Sequence, residues 1–425
     1  MKVVIMAGGK GTRIASVNSL VPKPMIEVAG KPVLVHQIGC LKRQGYTDIL
    51  LVIGHLGGVI KERLGDGSSL GVGIEYIEEK EPLGTAGALY FLKSRIDESF
   101  LLLNGDVIFD ADISRFARTH EKNGGLATVL THPNDHPFDS GLITADRSGK
   151  VTEWLHKEDA RGWHVNRVNA GLHMISPGLL DRMTELKKTD LDRDLLRPLI
   201  AEGKLYAYDS PEYVKDMGTP ERLVEVERDI VSGKVHARNL AEKQRAVFLD
   251  RDGTINKYVG FLTDIDKFEL CDGAAEAVAA INRSGMLAVV VTNQPVIARG
   301  EVTMEQLDLI HAKMETLLGE KGAYINGVYF CPHHPHKGYA GEVPELKTDC
   351  DCRKPKPGLI LKAAEDLNID VKASWMVGDG ENDIECGKRA GCRTAKIGEP
   401  DCGADICAES LLGCVRRILE EENAQ

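Results

Sequence analysis

The chain has 425 residues, 43% of them hydrophobic and 28% charged, with a formal net charge of −11. This composition describes a globular chain, not a disordered one, and the acidic balance argues against a nucleic-acid-binding surface, which favours a basic patch. No apolar run approaches the roughly 20 residues of a membrane span, and glycines interrupt "MKVVIMAGG" before a signal-peptide core forms, so a cytoplasmic protein of two domains is expected.

In chain order, "KVVIMAGG", "DILLVIG", "SFLLLNGD", "LATVLTH" and "AGLHMIS" are strand-length runs of apolar and β-branched residues, each ending near a turn signal. Amphipathic stretches such as "VLVHQIGCLKRQG" lie between them, with Gly45 in position for a C-cap. A polar stretch, "VERDIVSGKVHARNLAEKQR", carries no strand pattern and sets a linker over 235–244, between domains 1–234 and 245–425. A second series follows with "RAVFLDRDG", "MLAVVVTNQ", "GVYF" and "SWMVGDG". Near-continuous apolar strands alternating with helices predict parallel sheets covered on both faces. The fold class expected is therefore α/β, with two Rossmann-like three-layer α/β/α domains.

In "VVIMAGGKGTRI", Gly8, Gly9 and Gly11 follow a strand directly. Glycines let backbone N–H groups approach a phosphate, although the same turn serves many strand–helix junctions with no ligand. Arg13 follows the loop, and "PKP" sets Lys23 on a proline-fixed segment, which suits a triphosphate. "GGKGTR" and "PKPM" are joined in order by "EKEPLGTAGAL", "LLLNGD", "VNAGLH" and "VKDMGTPERL". By these motifs the first half resembles the sugar-nucleotide nucleotidyltransferases over nearly its whole length. The resemblance implies that Gly8, Gly9, Gly11 and Thr12 cradle the nucleotide while Lys23 and Arg13 neutralise its triphosphate. It places Gly84 and Thr85 near base and sugar, Asn169 and Gly171 near the sugar phosphate, and Asp106 and Asp216 on Mg²⁺. A sugar 1-phosphate oxygen then attacks the α-phosphorus in line, and Mg²⁺ with the cations stabilises the charge that develops. The chain departs from the pattern at Ser16, where the family has proline, and at His156–Lys157, where a glutamate–lysine pair stands near the sugar.

"VFLDRDGTI" puts Asp250 and Asp252 at a strand end, and residues i and i+2 of extended chain face one side. A lone DxD is common, but "VVVTNQ" and "WMVGDGENDI" also end apolar strands, where α/β sheets place ligands. Together these runs resemble the haloacid dehalogenase superfamily of phosphatases. The resemblance makes Asp250 the nucleophile that forms an aspartyl-phosphate and Asp252 the general acid/base. It has Thr292 and Asn293 bind the phosphoryl group and Lys354 neutralise it, and it places Asp379 and Asp383 with Asp250 and Asp252 around Mg²⁺.

Between these motifs lies "CPHHPHKGYAGEVPELKTDCDCRKPKPG". Cys331, His333, Cys350 and Cys352 form a C-x-H…C-x-C set suited to tetrahedral Zn²⁺, with a disulfide or unligated thiols as the alternatives. Arg353 and Lys354 follow immediately, so a metal here would fix the segment that offers positive charge to a phosphate. The other cysteines read as ordinary thiols. The zinc loop with "CRKPKPG" looks like the D-glycero-D-manno-heptose 1,7-bisphosphate 7-phosphatases, and histidinol phosphatases share much of it. Pro295 and Val296 depart from the small residues usual after the glutamine, whereas Arg299 matches the family as a substrate contact.

The two halves read as consecutive steps, because removing a 7-phosphate yields the heptose 1-phosphate that a nucleotidyltransferase consumes. The first half is most similar to the heptose 1-phosphate guanylyltransferases, which favours GTP. A hexose 1-phosphate enzyme fused to a histidinol-phosphatase-like hydrolase is one alternative, and a nucleotide-sensing module on an active phosphatase is another. A homo-oligomer is compatible with either.

Overall fold

The computed structural model describes residues 1–9, 21–398 and 403–424, and contacts group the chain into two units. The first comprises Met1–His132, Ile143–Trp154 and Asn169–Asn239, and the second Pro133–Leu142, Leu155–Val168 and Leu240–Gln425. The division after Asn239 falls within the polar stretch, and two short segments of the first half group with the second unit.

In chain order the strands of the first sheet are β1 (Val3–Met6), β2 (Asp48–Ile53), β3 (Gly73–Glu78), β4 (Phe100–Asn104), β6 (Ala127–His132), β7 (Leu142–Ala145), β8 (Val151–Leu155), β9 (Val168–Ile175) and β10 (Leu205–Asp209). Two further strands, β5 (Val107–Asp110) and β11 (Tyr213–Asp216), form a separate antiparallel ribbon. The main path runs β8-β7-β9-β4-β1-β2-β3, with β6 joining β9 to β10. β1 is parallel to β2 and β4, whereas β9 runs antiparallel to β4. Side chains alternate across a strand, so Ile5, Leu51 and Leu103 enter one core while Val4, Leu50, Val52 and Leu102 enter the other. Burial on both faces is why these strands lack polar alternation. Helix α1 (Val33–Arg43) buries Val33, Leu34, Ile38 and Leu41, and the chain leaves it through Gly45 at φ +85°, a conformation that favours glycine.

The second sheet comprises β12 (Ala246–Leu249), β13 (Leu287–Asn293), β14 (Gly327–Cys331), β15 (Trp375–Gly378), β16 (Arg393–Ile397) and β17 (Ile406–Ala408). All its pairings are parallel, in the order β14-β13-β12-β15-β16-β17. Val247, Leu249, Ala288 and Val290 fill one core, and Ala246, Phe248, Val289 and Val291 the other. Helix α2 (Met304–Gly319) opens on a Thr303–Gln306 capping box. It carries the buried Glu315, which takes a hydrogen bond from the Asn166 backbone and pairs with buried Arg167 at 2.9 Å. Among the described residues, no helix is long and apolar enough to cross a membrane.

Candidate active sites

In the second unit, the Asp250 N–H donates to Val377 O at 3.0 Å, so β15 fixes this residue at the carboxyl end of the central strand β12. Asp250, Asp379 and Asp383 each bring a carboxylate oxygen within 4.8 Å of the others. Lys354 Nζ, almost without solvent access, lies 2.7 Å from Asp250 and 2.6 Å from Asp383. Gly253 is needed twice: its φ is +84°, and a Cβ there would stand 2.2 Å from an Asp379 oxygen. Burial is the largest influence on Asp250 and lifts its carboxyl to about 6, with Asp383 also pushing up, while the paired Lys354 ammonium pulls down toward the ionised form that a nucleophile needs. Burial also pushes the Lys354 ammonium down, but the two carboxylates more than offset that and the net direction is up. Three converging oxygens suit a hard divalent cation, and Mg²⁺ there would offset their mutual repulsion.

Asp252 stands apart from that trio. Arg251 Nη2 donates to both its carboxylate oxygens, at 2.9 and 2.8 Å, and Asn256 and Gln294 add further hydrogen bonds. Arg251 is fully buried and its Nη1 lies 3.2 Å from His311 Nε2 on α2. The carboxylate is thus oriented by protein groups and is not part of the acidic cluster. Thr292 Oγ1 accepts from Gln294, and the Asn293 amide bonds both the N–H and the C=O of Lys354. Asn293 therefore acts on the lysine. Arg299 lies between the rings of Phe261 and Tyr339, at 4.1 and 4.5 Å from their centroids, and pairs with Glu301. Arg353 Nη1 donates to His333 O at 3.3 Å.

The ligand atoms of Cys331, His333, Cys350 and Cys352 also lie within 4.8 Å of one another. Their sulfurs are 3.1 to 3.5 Å apart, and His333 Nδ1 is 3.3 Å from Cys352 and 3.7 Å from Cys331. Those separations exceed the roughly 2.05 Å of a disulfide and approach the ~3.8 Å edge of a tetrahedron with ~2.3 Å zinc–sulfur bonds. Hydrogen bonding from Cys331 is the largest influence bringing the Cys352 thiol down to about 5, whereas Cys331 is pushed up by its bond to Cys352 and by burial. The donor set fits Zn²⁺.

In the first unit, Gly8 and Gly9 follow β1, whereas Gly11, Thr12, Arg13 and Ser16 lie outside the described residues. Lys23 pairs with Asp106. Asp216 is held by Arg222 Nη1 at 2.9 and 2.7 Å, and the neighbouring Met217 N–H donates to Asp106 O at 3.0 Å. Strand pairing thus ties the two aspartates together, each with a cation of its own. Asn169 Oδ1 accepts from Gly171 N–H at 2.9 Å while its amide also bonds Asp192. Gly171 has φ +74°, and a Cβ on it would stand 2.7 Å from Asn104. Gly84 bridges to Thr189, and Thr85 Oγ1 accepts from Leu191 N–H at 2.7 Å. His156 and Lys157 lie in the segment that groups with the second unit.

Three groups escaped the sequence reading. Arg251 was legible only as the spacer of "DRD". Glu79 sits under the glycine turn, where a Cβ on Gly8 would stand 2.4 Å from its carboxylate. One Glu79 oxygen is buried with no partner among the described residues, and burial pushes its carboxyl up against a hydrogen bond from the Leu83 backbone. Asp192 lies on a π-helical turn, Leu191–Leu196.

Residues 2–233 match the nucleotidyl transferase family, and residues 191–391 match the haloacid dehalogenase-like hydrolases. The chain is 42% identical over 191 residues to the D-glycero-beta-D-manno-heptose-1,7-bisphosphate 7-phosphatase of Escherichia coli (strain K12), covering 43% of this chain and 98% of that one. It is 33% identical over 239 residues to a probable mannose-1-phosphate guanylyltransferase 3 of Oryza sativa subsp. japonica, covering 55% of this chain but 63% of that relative's length. Among solved structures, HddC from Yersinia pseudotuberculosis aligns with a TM-score of 0.48 and 26% identity, over 54% of this chain and 99% of that one.

Proposed function

The chain belongs to the nucleotidyl transferase family through its first half and to the haloacid dehalogenase-like hydrolases through its second, and on that premise we propose that its two sites act in sequence on one heptose. The second unit removes the 7-phosphate of D-glycero-D-manno-heptose 1,7-bisphosphate. The first then transfers GMP from GTP to the resulting heptose 1-phosphate and releases pyrophosphate.

The observation that carries the hydrolytic step is Asp250, paired with Lys354 inside a carboxylate trio beside the Cys/His cluster. Asp250 attacks phosphorus, the Asp252 carboxyl protonates the leaving sugar oxygen, and water later attacks the aspartyl-phosphate with Asp252 as base. Mg²⁺ would be held by Asp250, Asp379 and Asp383 and would supply charge neutralisation, and Zn²⁺ would close the loop that presents Arg353 and Lys354. In the first unit Lys23 neutralises the triphosphate, and Asp106 and Asp216 would hold Mg²⁺. The choice of GTP is supported by the likeness of the first half to a probable mannose-1-phosphate guanylyltransferase.

The test supplies α- and β-heptose 1,7-bisphosphates with Mg²⁺ and, separately, GTP, ATP, CTP or UTP, following phosphate, pyrophosphate and sugar nucleotide together. Phosphate release followed by GTP-dependent pyrophosphate release supports the sequence. Phosphate release without consumption of any nucleotide overturns the assignment of the first unit's sugar.

A further inference from the structure

The π-helical turn Leu191–Leu196 lies between the two sides of the nucleotidyl transferase site. One flank is tied to the expected nucleotide side: the Leu191 N–H donates to Thr85 Oγ1 at 2.7 Å, and Gly84 bridges to Thr189. A Cβ on Gly84 would meet Thr189 O at 2.4 Å, so the two segments touch backbone to backbone. The other flank is tied to the expected sugar-phosphate side, because Asp192 takes a hydrogen bond from Asn169. Asn169 in turn accepts from Gly171 N–H, so its amide is committed at both ends. Gly171 packs on Asn104, the last residue of β4, two positions before Asp106. π-turns of this kind frequently mark functional sites, since they aim a side chain where a regular helix would not.

We propose that Asp192 is a positioning residue for nucleotidyl transfer, fixing the Asn169–Gly171 strand end in register with the Gly84–Thr85 turn across the site. This rests on the reading of Asn169 and Gly171 as the sugar-phosphate side. The carboxyl is pushed up to about 6, chiefly by burial and next by Asp190, with the Asn169 bond and Arg193 pulling down. Asp190 and Arg193 belong to its own turn, and Asn169 and Thr85 on the packed segments are neutral. A carboxylate held against its hydration is a cost to the fold, and an apolar residue here would avoid it. The charge is explained by what it holds, since an ionised acceptor anchors the Asn169 amide more firmly than a neutral one.

The test compares Asp192→Ala and Asp192→Asn in the full chain, with GTP and either D-glycero-D-manno-heptose 1-phosphate or mannose 1-phosphate, from pH 5 to 8. GTP affinity of the same preparations reports that the first unit is folded, and phosphate release that the second is. Asp192→Ala is expected to raise the sugar-phosphate KM or lower kcat by about tenfold or more, with the GTP KM within about twofold. Asp192→Asn offers Asn169 only a neutral acceptor, so its rate at pH 8 should fall toward that expected of the wild type once Asp192 is protonated, and the acid limb expected near pH 6 should be absent. Unchanged sugar-phosphate kinetics in Asp192→Ala, or the same acid limb in Asp192→Asn, overturns the proposal. If the wild type transfers no nucleotide to either sugar phosphate, the substrate reading fails and amide exchange still decides the role of Asp192. Faster exchange at Gly171 in Asp192→Ala supports it, and unchanged exchange overturns it.

Discussion

Lys354→Met tests the electrostatics of the hydrolytic site most directly. The ammonium lies 2.7 Å from Asp250 and 2.6 Å from Asp383, with a side-chain exposure of 2%. Methionine preserves length and apolar contact but leaves buried carboxylates facing one another. Removing one partner of a buried pair costs about 3–5 kcal/mol, and two adjacent carboxylates relieve part of that by sharing a proton. Asp250 carries that proton part of the time and is then no nucleophile. It also loses the cation that offsets its repulsion from the incoming phosphate. If about 4 kcal/mol of this appears in the barrier, kcat/KM for phosphate release falls roughly a thousandfold. The assay follows phosphate release from heptose 1,7-bisphosphate at saturating Mg²⁺, with pyrophosphate release from GTP and added heptose 1-phosphate in a parallel reaction as the control for the first unit and the urea unfolding midpoint as the control for folding of the second. Phosphatase activity within tenfold of wild type, with nucleotidyl transfer intact, would refute the reasoning, because the lysine would then be no more than a packing element.

Three further outcomes follow from the same geometry. Cys352→Ser removes the donor that the other cluster members push toward the thiolate, so elemental analysis is expected to find about one zinc per chain in the wild type and well below that in the variant, with phosphate release reduced and nucleotidyl transfer from added heptose 1-phosphate unaffected. Arg167→Met strands Glu315, only 3% exposed, and should destabilise the second unit by about 3–5 kcal/mol in urea, with most of the loss recovered in the Arg167→Met/Glu315→Met double variant. His120 and His173 are both pushed down to about 4 by burial, so between pH 6.5 and 4 the unfolded chain binds protons that the folded chain refuses. Stability should therefore fall across that window by up to about 3 kcal/mol per histidine, and His120→Gln should flatten the slope of the thermal midpoint against pH.

The sequence reading succeeds where chemistry is carried by neighbours in the chain at the end of an apolar strand. Asp250 in "VFLDRDG", Asp379 in "WMVGDG" and the C-x-H…C-x-C set are of this kind, because a buried parallel strand delivers its last residues to the carboxyl edge of the sheet. The reading is weaker where a side chain's job depends on what lies opposite. Asn293 belongs to a run that suggests phosphoryl binding, yet its amide is spent on the Lys354 backbone across 61 positions of sequence. Arg251 looks like a spacer, and only the packing of α2 shows that it is buried against His311. Asp192 has no signal at a period of 3.6, since a π-turn shifts each later residue around the axis. The grouping of 155–168 with the second unit also leaves no trace in composition, because Arg167 and Asn166 look like ordinary surface residues until Glu315 is seen opposite them.

The contacts that hold the site of the second unit share a physical origin. Its catalytic groups ride on loops beyond the strand ends, where few apolar contacts hold the backbone, and electrostatic stabilisation requires those groups to be fixed before substrate arrives. Polar clips supply the rigidity. The Cys/His cluster gathers one loop, two hydrogen bonds between the Asn293 amide and the Lys354 backbone lock Lys354 immediately beyond it, and Arg299 stacks between Phe261 and Tyr339 from two further loops. Each clip joins segments distant in sequence, so the contact itself appears only once the sheet has brought the loops together, even where, as in the C-x-H…C-x-C set, the residues are legible beforehand. The glycines of the turn obey the same logic: Gly253 admits Asp379 and Gly378 admits Asp383, since a Cβ at either place would strike the carboxylate that the lysine or a metal must reach. The position of charge in this site is thus set by close approach as much as by the charged residues themselves, and small residues beside the carboxylates are part of its electrostatics.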